Sequence, residues 1–151
     1  EHMVAKENGF RDYLQSSNRT VISKWLPDFN QTELLEGELV RLFADTKEIA
    51  GIFVTTSRIS YVANILLKLN LLHLSLVGFD LVKSNIDLLP HFNKLFLIHQ
   101  NPSLQGYYGL MQLFDHFLKK KEIRKKMFLP LDIITQENVQ NHLHIRFRDK
   151  L

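Results

Sequence analysis

Four polar segments each follow an apolar run in this chain, and their side chains are of kinds that hold ligands. LVGFD, 76–80, ends in Asp80, whose carboxylate can cap a following helix, accept hydroxyl protons from a ligand, or divide its two oxygens between the roles. TTSR, 55–58, offers the hydroxyls of Thr56 and Ser57 and the five-donor fork of Arg58, or simply a helix cap followed by a solvated arginine. HQNP, 99–102, brings His99 and Gln100 to a turn. LPDFN, 26–30, follows Trp25, whose indole is suited either to stacking on a sugar face or to rim packing.

Signatures of catalysis are missing. There is no Gly-x-x-x-x-Gly-Lys-Ser/Thr phosphate loop, no Gly-x-Gly-x-x-Gly dinucleotide turn and no Gly-x-Ser-x-Gly elbow. A phosphate-accepting receiver domain needs an acidic pair after its first strand, where this chain has SKWL. The absence of cysteine removes thiolate nucleophiles and thiolate zinc sites. The seven histidines are scattered without regularly spaced acidic partners. The expectation is a binding module, not an enzyme, with no metal and no cofactor.

Composition narrows the partners. A chain of 151 residues builds one core. Its net charge of +3 is concentrated at 118–126 and 144–150, too modest for a generic nucleic-acid surface. No apolar run approaches the ~20 residues that cross a bilayer, so no membrane partner is expected. The opening Glu1-His2-Met3 reads as a cloning remnant, leaving 4–151 as the folded part.

The elements that must position these groups alternate. A helix ends in NGFRDYL (8–14), and a β-branched strand candidate follows at 19–26. Helical spacing covers 30–46, with Asn30 and Glu33 as a capping box, and 58–70, with Ser57 as N-cap. Further strands are expected at 49–57, 73–79, 94–100 and 128–135, and helices at 80–90, 103–121 and from about Gln136. Strands 49–55 and 74–79 are nearly continuous apolar runs, the pattern of strands covered on both faces. The fold class is α/β, three-layer α/β/α with a mainly parallel sheet. Ligands on such sheets gather outside the carboxyl ends of the strands, where the four polar segments lie.

LVGFD with its following helix, then KLFLIHQNPSLQGYYGLMQLFDHFLKK and FLPLDIITQENV, resembles the last third of a type-I periplasmic-binding-protein fold. KENGFRDYL resembles that family's Arg-x-x-Gly-Phe helix, and IAGIFVTTSR its strand ending in Asn-Asp or Asn-Ser. The match is to the effector-binding region of lactose-repressor-family regulators of the gut Bacteroidetes kind. The resemblance implies a small molecule, usually a sugar, held between two lobes. It implies that Asp80 receives ligand hydroxyls and that Thr56 stands where the family has a ligand-binding Asn. Lys6 stands where a ligand-contacting Arg is common, and Gln100 lies at the last crossover. Arg58 joins the set on its strand-end position alone.

The resemblance further implies a cytoplasmic homodimer that meets operator DNA only through a separate N-terminal domain. The alternative is a periplasmic sugar-binding protein for transport or sensing. Residues 4–151 would be the C-terminal lobe, with 103–121 the helix that packs on the other lobe. Its stripe of Leu104, Tyr107, Leu110, Met111, Phe114 and Leu118 is expected to fold back on its own sheet or to pair with another copy. An isolated lobe is expected to bind sugar weakly or not at all.

Overall fold

The computed structural model describes residues 2–17, 19–26, 31–46 and 48–148, with side chains through residue 143. Strands β1 (Gly51–Phe53), β2 (Ser75–Phe79) and β3 (Leu95–His99) are parallel, and β4 (Asp132–Ile134) lies antiparallel to β3, in the order β1-β2-β3-β4. The helices are α1 (His2–Leu14), α2 (Thr32–Asp45), α3 (Ile59–Lys68), α4 (Lys83–Ile86), α5 (Pro102–Lys119) and α6 (Val139–Arg148), with a 3-10 turn at Leu89–His91. This is the three-layer α/β architecture with a mainly parallel sheet.

Strand register sorts the side chains onto two faces, because successive residues alternate. One face carries Ile52, Leu76, Gly78, Leu95, Leu97 and Ile134, and it meets α3. There Leu76, Leu97 and Ile134 are fully buried, in one cluster with Ile59, Val62, Ile65 and Leu66 of α3 and Leu35 and Leu39 of α2. Gly78 explains how α3 sits so close. A Cβ at that position would lie 2.6 Å from Ile59 Cδ1 and 2.7 Å from Ile59 Cβ, so only a hydrogen fits between strand and helix.

The other face carries Phe53, Val77, Phe79, Phe96, Ile98 and Ile133. Helix α1 covers its β1–β2 end, where Phe10 stacks on Phe53 with centroids 4.7 Å apart and Phe79 meets Phe53 edge-on at 5.7 Å. Towards β4 the cover thins, and Ile133 is 63% exposed. The apolar runs are therefore buried unequally on their two faces.

Several expectations change. Residues 19–26 pair with no strand; they have no regular secondary structure and are tied to α1 by Arg11, which donates to the Val21 carbonyl (3.1 Å) and to Ser23 Oγ (2.5 Å). A β-branched run is only a strand if a sheet edge accepts it, and here a side chain takes one of its carbonyls. The helix expected over 80–90 splits into α4 and the 3-10 turn, where Pro90 interrupts it. Position N-cap of α3 belongs to Arg58, not Ser57, and makes no side-chain cap bond. The strand expected over 128–135 contracts to β4. Helix α5 does not fold back on its sheet: it has no buried residue, and Leu110, Phe117 and Leu118 are largely exposed. The proposed cap Asn30, the segment 27–30 and the tail from 149 lie outside the described residues.

Candidate functional site

The parallel strands end side by side, and their exits bring three of the sequence-predicted residues together. Asp80 follows β2 directly, and its N–H donates to the Ile98 carbonyl of β3 at 3.0 Å. That bond extends the ladder by one residue and sets Asp80 beside the exit of β3. Gln100, just past β3, then donates through Nε2 to Asp80 Oδ1 at 3.1 Å. Among the described residues this bond engages one of the two carboxylate oxygens, and a carboxylate has acceptor capacity on both.

Asp80 is not a helix cap. Its φ of 68° lies in the left-handed region, and the N-cap position of α4 falls to Val82. Aspartate is among the non-glycine residues that tolerate this conformation best. The turn points the carboxylate across to Gln100 instead of along the chain to α4.

Lys6 arrives from α1. Its Nζ donates to the Thr55 carbonyl at 3.1 Å and stands 3.4 Å from the centroid of the Phe79 ring. A cation over an aromatic face gains about 0.5–2 kcal/mol, more as water is excluded. Burial lowers the pKa of Lys6 below the usual lysine value, and the negative charge of Asp80 pushes it back up. The ammonium is thus fixed between a carbonyl, a ring and a carboxylate's field. Lysine meets these as a point charge, where arginine would present a planar fork.

Thr56 is half-buried in the β1–α3 loop, and its Oγ1 accepts from the Arg58 N–H at 3.3 Å. Arg58 itself is exposed at the start of α3. Trp25 is placed differently. It is 79% exposed and, with Leu26, lines an open groove against Leu34, Gly37, Glu38 and Arg41 of α2. The expectation that it ends a strand at the sheet's mouth fails with the strand itself.

Sequence reasoning missed Asn85. Its side chain is fully buried, and Nδ2 lies 2.9 Å from Ser57 O and 3.1 Å from both Phe79 O and Asp80 O. An asparagine inside an apparently helical stretch gives no sequence signal of such a role. The ring set of Phe10, Phe53 and Phe79 was equally invisible, since it joins a helix to two strands.

No family model and no curated protein matches the chain. Solved structures do. A Bacteroides fragilis protein assigned as a LacI transcriptional regulator is 26% identical with a TM-score of 0.75, covering 92% of this chain and 48% of that one. An ABC-transporter solute-binding protein from Agrobacterium vitis, bound with alpha-D-tagatopyranose, is 25% identical with a TM-score of 0.80, covering 96% and 49%. A Caulobacter myo-inositol-binding protein, bound to myo-inositol, shares the fold at a TM-score of 0.74 and 17% identity, covering 91% and 48%. The chain spans about half the length of each of these structures. It has the fold of one lobe of a type-I periplasmic-binding protein, a non-catalytic ligand-binding architecture related both to LacI regulators and to the sugar-binding proteins of ABC transporters.

Proposed function

We propose that the chain forms one wall of a carbohydrate-binding cleft in a two-lobed receptor for transport or sensing. The observation that carries this reading is the junction of Lys6, Asp80 and Gln100 at the strand exits, together with likeness to a tagatose-bound protein over 96% of the chain. Asp80 accepts ligand hydroxyls, Lys6 and Gln100 donate, and Thr56 and Arg58 flank them from the neighbouring loop. Trp25, which lines a groove on α2, is not assigned to this cleft. The exposed stripe of α5 is the surface that the second lobe covers, and affinity in such receptors depends on burial between both walls.

A second reading keeps the same cleft in the effector-sensing region of a transcriptional regulator, acting as a homodimer and touching operator DNA through a separate domain. The 26% identity to the Bacteroides fragilis regulator favours it. The sugar-bound neighbours favour the first.

Calorimetry on the full-length protein with D-tagatose, D-fucose, D-allose and myo-inositol tests the cleft. Binding of one of these, weakened at least tenfold by Asp80→Ala, is expected; binding unchanged by that substitution would refute the assignment of Asp80. The 151-residue chain alone is expected to bind the same ligand far more weakly, and micromolar affinity in that chain would refute the two-wall requirement.

A further inference from the structure

We infer that Asn85 is the positioning residue of the cleft, the group that fixes the left-handed turn at Asp80 and its distance from the Thr56 loop. The inference rests on the reading of Asp80 as a ligand acceptor, but it concerns geometry that exists without ligand.

Asn85 is fully buried, and its two N–H hydrogens face three carbonyl oxygens: Ser57 at 2.9 Å, Phe79 at 3.1 Å and Asp80 at 3.1 Å. Its own carbonyl oxygen, Oδ1, is buried and finds no donor among the described residues. Rotating the amide would set Oδ1 against three other oxygens, so the observed orientation is forced. A buried acceptor without a partner is costly, and native structures keep few of them. Here the orphan is tolerated because the other end of the same amide joins two loops.

Those loops carry the proposed ligand groups. Ser57 follows Thr56 in the β1–α3 loop, while Phe79 and Asp80 form the exit of β2. The Asp80 backbone is held at both of its polar groups: its N–H bonds to Ile98 and its carbonyl accepts from Asn85. With both groups engaged, φ stays at 68° and the carboxylate reaches Gln100. Without the Asn85 donors, Asp80 is free to return to an ordinary backbone angle, and Oδ1 leaves Gln100. Asn85 therefore acts on ligand binding through Asp80, touching no ligand itself.

The test is nuclear magnetic resonance on the isotope-labelled chain, comparing wild type with the near-isosteric Asn85→Asp and with the smaller, uncharged Asn85→Ala. The one-bond Cα–Hα coupling and the intraresidue HN–Hα contact of Asp80 report its left-handed angle. The side-chain amide of Gln100 reports its bond. In both variants the left-handed signature should fade and the Gln100 amide should move to solvent-exposed values. The amides of Ser75 and Leu76, at the opposite end of β2 and bonded to the Ala50 and Lys94 carbonyls, should keep their exchange protection. Should Asn85→Asp fail to fold, Asn85→Ala reads the same signals. An Asp80 turn and a Gln100 bond that persist in a folded variant would overturn the inference. No ligand enters this experiment, so a failure of the Asp80→Ala binding assay leaves its result readable.

Discussion

Gly78→Ala is the sharpest test of how the strand exits are positioned. The new Cβ would meet Ile59 Cδ1, Cβ and Cγ2 at 2.6, 2.7 and 2.8 Å, distances that force something to move. Ile59 is fully buried at the start of α3, so its side chain has no open space to swing into. Gly78 has no positive φ, so backbone strain contributes nothing and the effect is one of packing alone. Overpacking costs about 1–3 kcal/mol and removing a glycine from a strand returns about 0.5–1 kcal/mol, a net loss between about 0 and 2.5 kcal/mol that should fall in the upper part of the range because all three contacts are below 3 Å. Urea denaturation reads this as a lower midpoint at unchanged slope. The double mutant supplies the decisive comparison. Ile59→Ala alone should cost about 2–5 kcal/mol, and less in the Gly78→Ala background because the alanine methyl fills space that Ile59 vacates. Gly37→Ala on α2, where a Cβ meets nothing within 4 Å, should be neutral or stabilising by up to about 1 kcal/mol. A neutral Gly78→Ala, or strict additivity with Ile59→Ala, would refute the claim that α3 is seated on this glycine.

Two further outcomes follow from charge. Because Asp80 raises a Lys6 pKa that burial lowers, Asp80→Asn should lower the Lys6 value further, read from its side-chain carbon shifts; no movement, or a rise, would contradict the coupling. A lysine with a depressed folded pKa binds fewer protons folded than unfolded, so its unfavourable contribution should ease as pH rises from that value towards the ordinary lysine range. Glu7 is also shifted down, but by partners that favour its charged form: the Ser23 hydroxyl, then Arg11, hold its carboxyl below the usual range. Its contribution is fully present above the unfolded value and is lost as pH falls through the folded one, so acidification should release Ser23 and raise exchange in residues 19–26 before the sheet responds, and Arg11→Ala should do so at neutral pH.

Burial patterns made the layer order readable, because period and apolar content report which side of an element is dry. Leu35 and Leu39 in the helical stretch 30–46 and Leu76 in the apolar run 74–79 are buried, whereas Leu34, on the same helix, is 56% exposed. What failed depended on partners far along the chain. Residues 19–26 have a strand's composition, yet Arg11 takes the Val21 carbonyl; that competition is between a helix and a loop and is absent from the local sequence. Asp80 precedes a helix and so resembles a cap, but a ladder bond to Ile98 and the Gln100 amide redirect it. Asn85 was illegible for the same reason: its three acceptors belong to two loops separated by more than twenty residues. The segment that Gly78 lets approach is Ile59 of α3, a neighbour that nothing in LVGFD itself names.

The uneven sheet connects these points. On the α3 side, fully buried Leu76, Leu97 and Ile134 and the bare backbone of Gly78 lock β2 to its helix, and Asn85, reaching from α4, locks the loops at the strand exits. The α1 side is lighter: Phe10 stacks on Phe53, and Lys6 donates one hydrogen bond to the Thr55 carbonyl and lies over the Phe79 ring. Local opening follows burial, so α1 should leave the sheet at lower free energy than α3. The cleft would then have a rigid acceptor, Asp80, and a compliant donor, Lys6. Such a division suits a receptor in which one wall fixes the ligand's orientation and a neighbouring cation adjusts to it. Hydrogen exchange decides the matter: amides of α1 should exchange faster than those of α3 and β2, and equal protection across the three would remove the distinction.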